Sequence, residues 1–239
     1  MRHVTAAQEV RARRAALPLL YAIFGIVVVI GLLAVTVRYR NGVAITASKI
    51  PVTQAVRPLT VPAGQTPDGY WYKGQAEAPV TVIAFGDYQC PSCGAAFHHL
   101  EPGIDKEYVN TGKIKFVFHD FPLSIHPNAV PTAAAARCAG DQGKYRSMHD
   151  LLYARQGEWS DDADIIARLK SYAGELGFDT TTFGTCVDNG NYEQAIQDAI
   201  VDSTKQGINT SPTYLVDGKK VDANSLRVAI EAAVAAKGR

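Results

Sequence analysis

The sequence predicts a mixed α/β fold with its helices gathered into one insert, preceded by one N-terminal transmembrane helix. Three observations predict it. Residues 80–85 form a short β-branched run that ends at a Cys-x-x-Cys pair, residues 129–205 carry a helical pattern, and residues 17–37 contain no charge. Strand, active turn, helix, strand, helical insert, hairpin and helix is the order of an α/β fold with segregated helices.

The uncharged stretch is dominated by Leu, Val, Ile, Ala and Gly, and as a helix it is long enough to cross a bilayer core of about 30 Å. It is apolar on every face, unlike a helix buried in a soluble core. Residues 1–16, expected in the cytoplasm, hold Arg2, Arg11, Arg13 and Arg14, while Arg38, Arg40 and Lys49 follow the span. The positive-inside bias toward a cytoplasmic N-terminus is therefore slight. The apolar core exceeds the roughly 7–15 residues of a cleavable signal and runs into Arg38-Tyr39-Arg40, so an uncleaved anchor is expected, with cleavage near Ala47 as the alternative. Residues 38–68 hold Pro51, Pro58, Pro62 and Pro67 with few apolar repeats, and read as an extended linker. The cluster Tyr70-Trp71-Tyr72 is expected to pack on the domain edge.

From residue 69 onward the sequence divides into a first α/β part at 69–128, a helical insertion at 129–206 and a second α/β part at 207–239. The run Val80-Thr81-Val82-Ile83-Ala84-Phe85 suits a central strand buried on both faces. Gly86-Asp87-Tyr88-Gln89 breaks it, and a helix over 94–100 opens at Cys90-Pro91-Ser92-Cys93. Pro91 fits a first turn because its missing N–H would be unpaired there anyway. Pro102 is expected to kink or end that helix. A second strand at 113–120 leads to the turn-rich Phe121-Pro122-Leu123 and His126-Pro127. Helices are predicted at 133–139, 149–152, 162–176, 180–187 and 192–205. Strands at 213–216 and 219–221 flank Asp217-Gly218 as a hairpin, and 225–236 is a closing helix. The acids Asp161, Asp162 and Asp164 read as charge complementing a helix start.

The whole chain carries 24 basic and 23 acidic side chains, and the Lys and Arg residues are scattered along the soluble part, so a nucleic-acid partner is excluded, since that would need a basic stripe. The chemistry lies in the Cys-x-x-Cys pair. A thiol at a helix start meets unpaired N–H groups and the positive end of the helix dipole, which brings its pKa from about 8.5 to roughly 3.5–7.5. Cys90 is then the outer nucleophile, and Cys93 resolves the mixed disulfide. Two readings compete with this one. Cys90, Cys93 and His98 fit part of a zinc motif, but Gly103 stands where a further cysteine would be needed, and no metal is expected. A structural disulfide across so tight a loop would strain the turn for little stabilisation. His98 and His99 either influence the thiolate or are solvated; His119, His126 and His149 carry no independent signal.

The run Phe85-Gly86-Asp87-Tyr88-Gln89-Cys90-Pro91-Ser92-Cys93, followed by Asp120-Phe121-Pro122-Leu123, His126-Pro127 and Thr210-Ser211-Pro212-Thr213, resembles the DsbA-like branch of the thioredoxin superfamily. The resemblance spans roughly residues 69–237. It implies a thioredoxin-like fold interrupted by a helical domain, with Cys90 as nucleophile, Cys93 as resolving thiol and Pro212, preceded by Ser211, in a cis-proline loop. An X-Pro bond gives up only about 0.5–1 kcal/mol to become cis. Two departures stand out. Relatives often carry a buried acid six positions before the outer cysteine, where this chain has Ala84; Asp87 either substitutes for it or caps the turn. The intervening dipeptide is Pro-Ser rather than Pro-His, and Ser92 is placed to donate to the Cys90 thiolate.

Cys138 and Cys186 lie in the helical insertion, and membrane-anchored relatives resemble this arrangement with a structural disulfide; two inert buried thiols are the alternative. Such a bridge belongs in an oxidising compartment, which favours a cytoplasmic N-terminus and an extracytoplasmic domain at the cell membrane. By resemblance the substrates are reduced exported polypeptides, and the reoxidant is a quinone-linked membrane protein, DsbB-like or vitamin K epoxide reductase-like. No cofactor is expected in the chain itself. Rival readings are a reductase or isomerase running the same exchange in reverse, and a tethered binding module with structural cysteines.

Overall fold

A computed structural model describes residues 50–57 and 61–238. The predicted membrane span at 17–37 lies outside them, and among the described residues no helix is long and apolar enough to cross a membrane.

A six-stranded sheet organises the chain, in the order β1-β2-β4-β3-β5-β6. The strands are β1 (Ala63–Gln65), β2 (Trp71–Lys73), β3 (Val80–Gly86), β4 (Ile114–Asp120), β5 (Thr213–Val216) and β6 (Lys219–Val221). Only β3 and β4 run parallel, in register from Val80 opposite Ile114 to Gly86 opposite Asp120. Every other pairing is antiparallel. A parallel pair needs a crossover, and the segment from Pro91 to Val109 supplies it. The hairpin between β5 and β6 turns at Asp217 (φ 46°) and Gly218 (φ 80°). Both central residues take positive φ, as a two-residue turn matched to strand twist requires.

The crossover helix does not end at Pro102. It runs as α2 (Pro91–Ala95), a π-helical turn (Ala96–Leu100), α3 (Glu101–Ile104) and a second π-helical turn (Asp105–Val109). The wider turn redirects the backbone: the Glu101 N–H reaches Ala96 O, five residues back, and Pro102 then occupies an early position of α3, where no N–H is demanded.

The insertion comprises α4 (Ala129–Gly140), α5 (Tyr145–Ala154), α6 (Gln156–Trp159), α7 (Ile165–Glu175), α8 (Thr180–Asp188) and α9 (Glu193–Lys205), and α10 (Leu226–Lys237) closes the chain. Asp164 caps α7 by accepting from the Ala167 N–H, and Asp179 caps α8 by accepting from Thr181 and Thr182. Cys138 of α4 and Cys186 of α8 are joined by a disulfide.

Part of the segment read as an extended linker departs from that expectation. Residues 50–57 form a short helix, α1 (Val52–Ala55), fastened to α5 and its C-terminal end. The Arg155 guanidinium donates to Ile50 O at 2.8 and 2.5 Å, and the Arg57 N–H donates to Asp150 Oδ2 at 3.0 Å. Residues 63–65 add an edge strand. Proline spacing correctly marks breaks in periodicity, but it does not report such long-range partners.

Two large buried clusters result, beside a small one of Phe85, Phe121 and Ile208. Val80, Val82 and Ala84 pack with Ile114, Phe116, Tyr214 and the Leu226 and Ile230 face of α10. The other cluster fills the insertion around Trp159, Leu151, Leu169 and Phe183, and it includes Tyr88, Cys90 and Cys93. The Cys-x-x-Cys turn therefore sits where the sheet meets the helical insertion.

Candidate active site

Cys90 is the residue that opens α2: its backbone is extended (φ −69°, ψ 121°), its carbonyl accepts from the Gly94 N–H, and Pro91 follows as the first helical residue. Cys90 and Cys93 are both thiols here. Cys90 keeps 6% of its surface exposed and Cys93 4%, while Pro91 and Ser92 beside them are exposed. The outer sulfur thus sits in a narrow opening, with the inner one beneath it.

The Cys90 thiol falls from an ordinary 9.0 to about 5. A hydrogen bond from the Cys93 thiol is the largest cause; burial works against it, and the Ser211 hydroxyl and the N–H groups of Cys93 and Ser92 add to it. Cys93 moves the other way, held well above its ordinary value because it donates to Cys90, is buried, and faces the negative charge that forms there. One sulfur is ready as an anion at neutral pH, and its neighbour keeps the proton.

Ser211 is positioned by the loop before β5. The Ser211-Pro212 peptide is cis, and Thr213 pairs with Phe85 at the end of β3, which delivers the loop beside the active turn. Ser211 Oγ is 3.2 Å from Cys93 Sγ, and the Cys90 thiol lies 3.5 Å from Ser211 O. The Thr213 hydroxyl donates to Thr210 O at 2.7 Å and steadies the loop. The Ser92 side chain is exposed; this residue acts on Cys90 through its backbone N–H.

Asp87 caps the turn. Its Oδ1 accepts from the Gln89 N–H at 2.7 Å, and its Oδ2 accepts from the Leu123 N–H at 2.9 Å and lies 2.6 Å from His126 Nδ1. Asp87 is only 1% exposed, so its carboxylate ties the cysteine loop to the loop leaving β4. Ala84, at the position of the missing acid, is buried in the sheet core.

Tyr88 and Gln89 stand within the cysteine motif, but the partners that support them and the turn carried no sequence signal. Gln156 Nε2 donates to the Tyr88 and Cys90 carbonyls at 2.6 and 2.9 Å. Gln89 accepts from the Asn128 N–H at 2.6 Å and donates to Ser160 O at 2.8 Å. Tyr88 places its hydroxyl between Tyr145 Oη (3.1 Å) and His149 Nδ1 (2.9 Å). Burial, with Arg146 next, holds His149 well below its ordinary pKa, so it is neutral. These polar groups are buried and therefore need partners, but the partners lie 39 to 71 residues away in the sequence. His98 and His99 are exposed on the first π-helical turn of the crossover helix.

Comparison with known proteins places this geometry among relatives. A curated disulfide bond formation protein D of Bacillus subtilis is 28% identical over 62% of this chain and 68% of its own length. A Na(+)/H(+) antiporter NhaA 1 of Salinispora arenicola is 34% identical over 77% of this chain but only 26% of its own. The chain thus spans about a quarter of the length of such antiporter relatives. The crystal structure of oxidised BdbD from Bacillus subtilis superposes with a TM-score of 0.64 at 23% identity, covering 73% of this chain and 98% of that one. A thioredoxin family model (Thioredoxin_4) matches residues 66–236. Extending across the sheet, the active turn and the helical insertion alike, that match establishes that the chain belongs to the thioredoxin family.

Proposed function

We propose that this chain is a thiol-disulfide oxidoreductase that oxidises cysteine pairs in exported polypeptides through Cys90 and Cys93. The observation that carries the reading is the asymmetry of the two sulfurs: a Cys90 thiol brought to about 5 above a Cys93 thiol held protonated. In the oxidised enzyme, a substrate thiolate attacks Cys90 Sγ, the Cys90–Cys93 bond breaks, and Cys93 leaves with the bonding electron pair and takes a proton. The second substrate thiolate then attacks its partner sulfur in the mixed disulfide and expels Cys90 as a thiolate. Two electrons and the substrate's disulfide bond are accounted for. Expulsion is favoured because a thiol of low pKa is a good leaving group, and a stabilised thiolate makes the reduced enzyme the lower state, the condition for an oxidant.

Ser211 and Pro212 line the opening where the incoming chain meets Cys90. The Cys138–Cys186 bridge supports an oxidising compartment. The uncharged 17–37 segment supports a single-pass anchor at the cell membrane, with the N-terminus inside and the catalytic domain outside. Electrons taken from substrate then pass to a quinone-linked membrane reoxidase, DsbB-like or vitamin K epoxide reductase-like, a partner assigned by family resemblance.

The test is the equilibrium reduction potential of the Cys90–Cys93 pair against glutathione. An oxidase should lie above about −180 mV, whereas a value near −270 mV would assign the reductase direction. A Cys90→Ser chain that still supports disulfide formation in exported substrates would instead leave a tethered binding module.

A further inference from the structure

Ile125 stands in the loop that leaves β4, beside the cysteine turn. It is 77% exposed, the most exposed large apolar side chain among the described residues; the other two, Val201 and Val228, lie on α9 and α10. Single apolar residues on a surface are ordinary, so exposure alone assigns nothing. The His126 N–H donates to Leu123 O at 3.0 Å, which makes residues 123–126 a β-turn with Ile125 at its third position. Turn corners favour Gly, Asn, Asp and Ser, whereas a β-branched side chain suits a strand. Neither the local backbone nor the core accounts for an isoleucine here.

This turn is fastened to the cysteine turn at both ends. Asp87 Oδ2 accepts from the Leu123 N–H and lies 2.6 Å from His126 Nδ1, while Gln89 Oε1 accepts from the Asn128 N–H at 2.6 Å. Asp87 O also accepts from the Cys90 N–H at 3.2 Å. One buried residue therefore fixes both the reactive turn and the turn that carries Ile125. The exposed neighbours in these two turns, Pro91, Ser92, Ser124 and Pro127, carry no charge. A chain attached at Cys90 thus meets a preorganised, uncharged surface bearing one isoleucine, which costs little ordering on contact.

Cysteine is among the most buried residue types in folded proteins. A cysteine still free to react therefore lies in an unfolded segment whose apolar neighbours are exposed with it. We propose that Ile125 is a specificity residue for such segments: it packs against an apolar side chain next to the substrate cysteine while that cysteine is joined to Cys90. This rests on the exchange reaction proposed above and narrows its substrates. Polypeptides that have already buried those side chains gain nothing from Ile125. Covering most of an isoleucine is worth about tenfold in affinity.

Two peptides of equal length and charge, each with two cysteines, test this; one has Leu beside both cysteines and the other has Ser. The readout is the second-order rate at which each peptide reduces the oxidised full chain. The parent should prefer the Leu peptide about tenfold, Ile125→Ser should bring that ratio close to one, and Ile125→Leu should keep it. A general loss of reactivity cancels in the ratio, and serine suits an exposed turn. A parent chain without preference, or an Ile125→Ser chain that keeps it, would overturn this proposal alone. Reaction with neither peptide would defeat the exchange reading, and the role of Ile125 with it.

Discussion

At the scale of single residues, the order of causes at Cys90 makes a ranked prediction. The Cys93 thiol is the largest contributor to the low Cys90 pKa and the Ser211 hydroxyl a smaller one. The pH dependence of Cys90 alkylation by iodoacetamide should therefore have a midpoint near 5. Cys93→Ala should raise that midpoint more than Ser211→Ala does, and the reverse order would refute the arrangement. The same group links redox state to stability. A thiol whose folded pKa is depressed stabilises the fold fully above its unfolded value, here near 9.0, and the gain is lost as pH falls through about 5. The oxidised protein has no such thiolate. The urea midpoint of the reduced form, relative to the oxidised form, should thus fall steadily between about pH 9 and pH 5; a constant gap over that window would show that Cys90 is not ionised.

At the scale of elements, the active turn depends on the start of α2 lying close to α6. A Cβ on Gly94 would meet Gln156, with the amide carbon at 3.0 Å and its oxygen nearer still. Gly94→Ala favours the helix by up to about 1 kcal/mol. It also displaces the amide that bonds the Tyr88 and Cys90 carbonyls, two hydrogen bonds worth about 1 kcal/mol each. The loss wins, and the variant should be less stable by about 1 kcal/mol in urea unfolding and should alkylate faster at Cys90. Elements of this kind also show what sequence can and cannot reveal. β3 was legible because a β-branched run bounded by Gly86 has few alternatives, and the final hairpin because Asp217-Gly218 dictates its turn. β1 and β2 were not legible as strands, since three-residue segments have no period to detect. The cysteine pair stood out in sequence because its chemistry is local, and the Ser211-Pro212 loop because of the family resemblance. Gln156 and Asn128 did not, because a polar side chain acquires its role only from the partner that folding brings to it.

At the scale of the whole molecule, the helical insertion and the sheet share the active turn, with Cys90 and Cys93 in the same buried cluster as Trp159 and Leu169. The Cys138–Cys186 bridge, spanning 48 residues of sequence, joins α4 to α8 within that cluster. α4 is also tied to the sheet, for Arg137 Nε lies 2.6 Å from Asp120 Oδ2 at the end of β4. In the chain-entropy account, closing a loop of that length stabilises the fold by about 4 kcal/mol. That is a large share of the 5–15 kcal/mol typical of a domain. The double variant Cys138→Ala/Cys186→Ala, which leaves no buried free thiol behind, should therefore unfold about 4 kcal/mol more easily in urea. Because the bridged helices and the cysteine turn belong to one cluster, the transition should stay single, with Cys90 alkylation and far-ultraviolet circular dichroism moving together. Reducing agent strong enough to open the bridge should bring the parent chain down to the level of the variant. Equal midpoints without reductant would mean that the bridge adds nothing to stability, while a helical insertion that melted before Cys90 became reactive would mean that insertion and active turn fold as separate units.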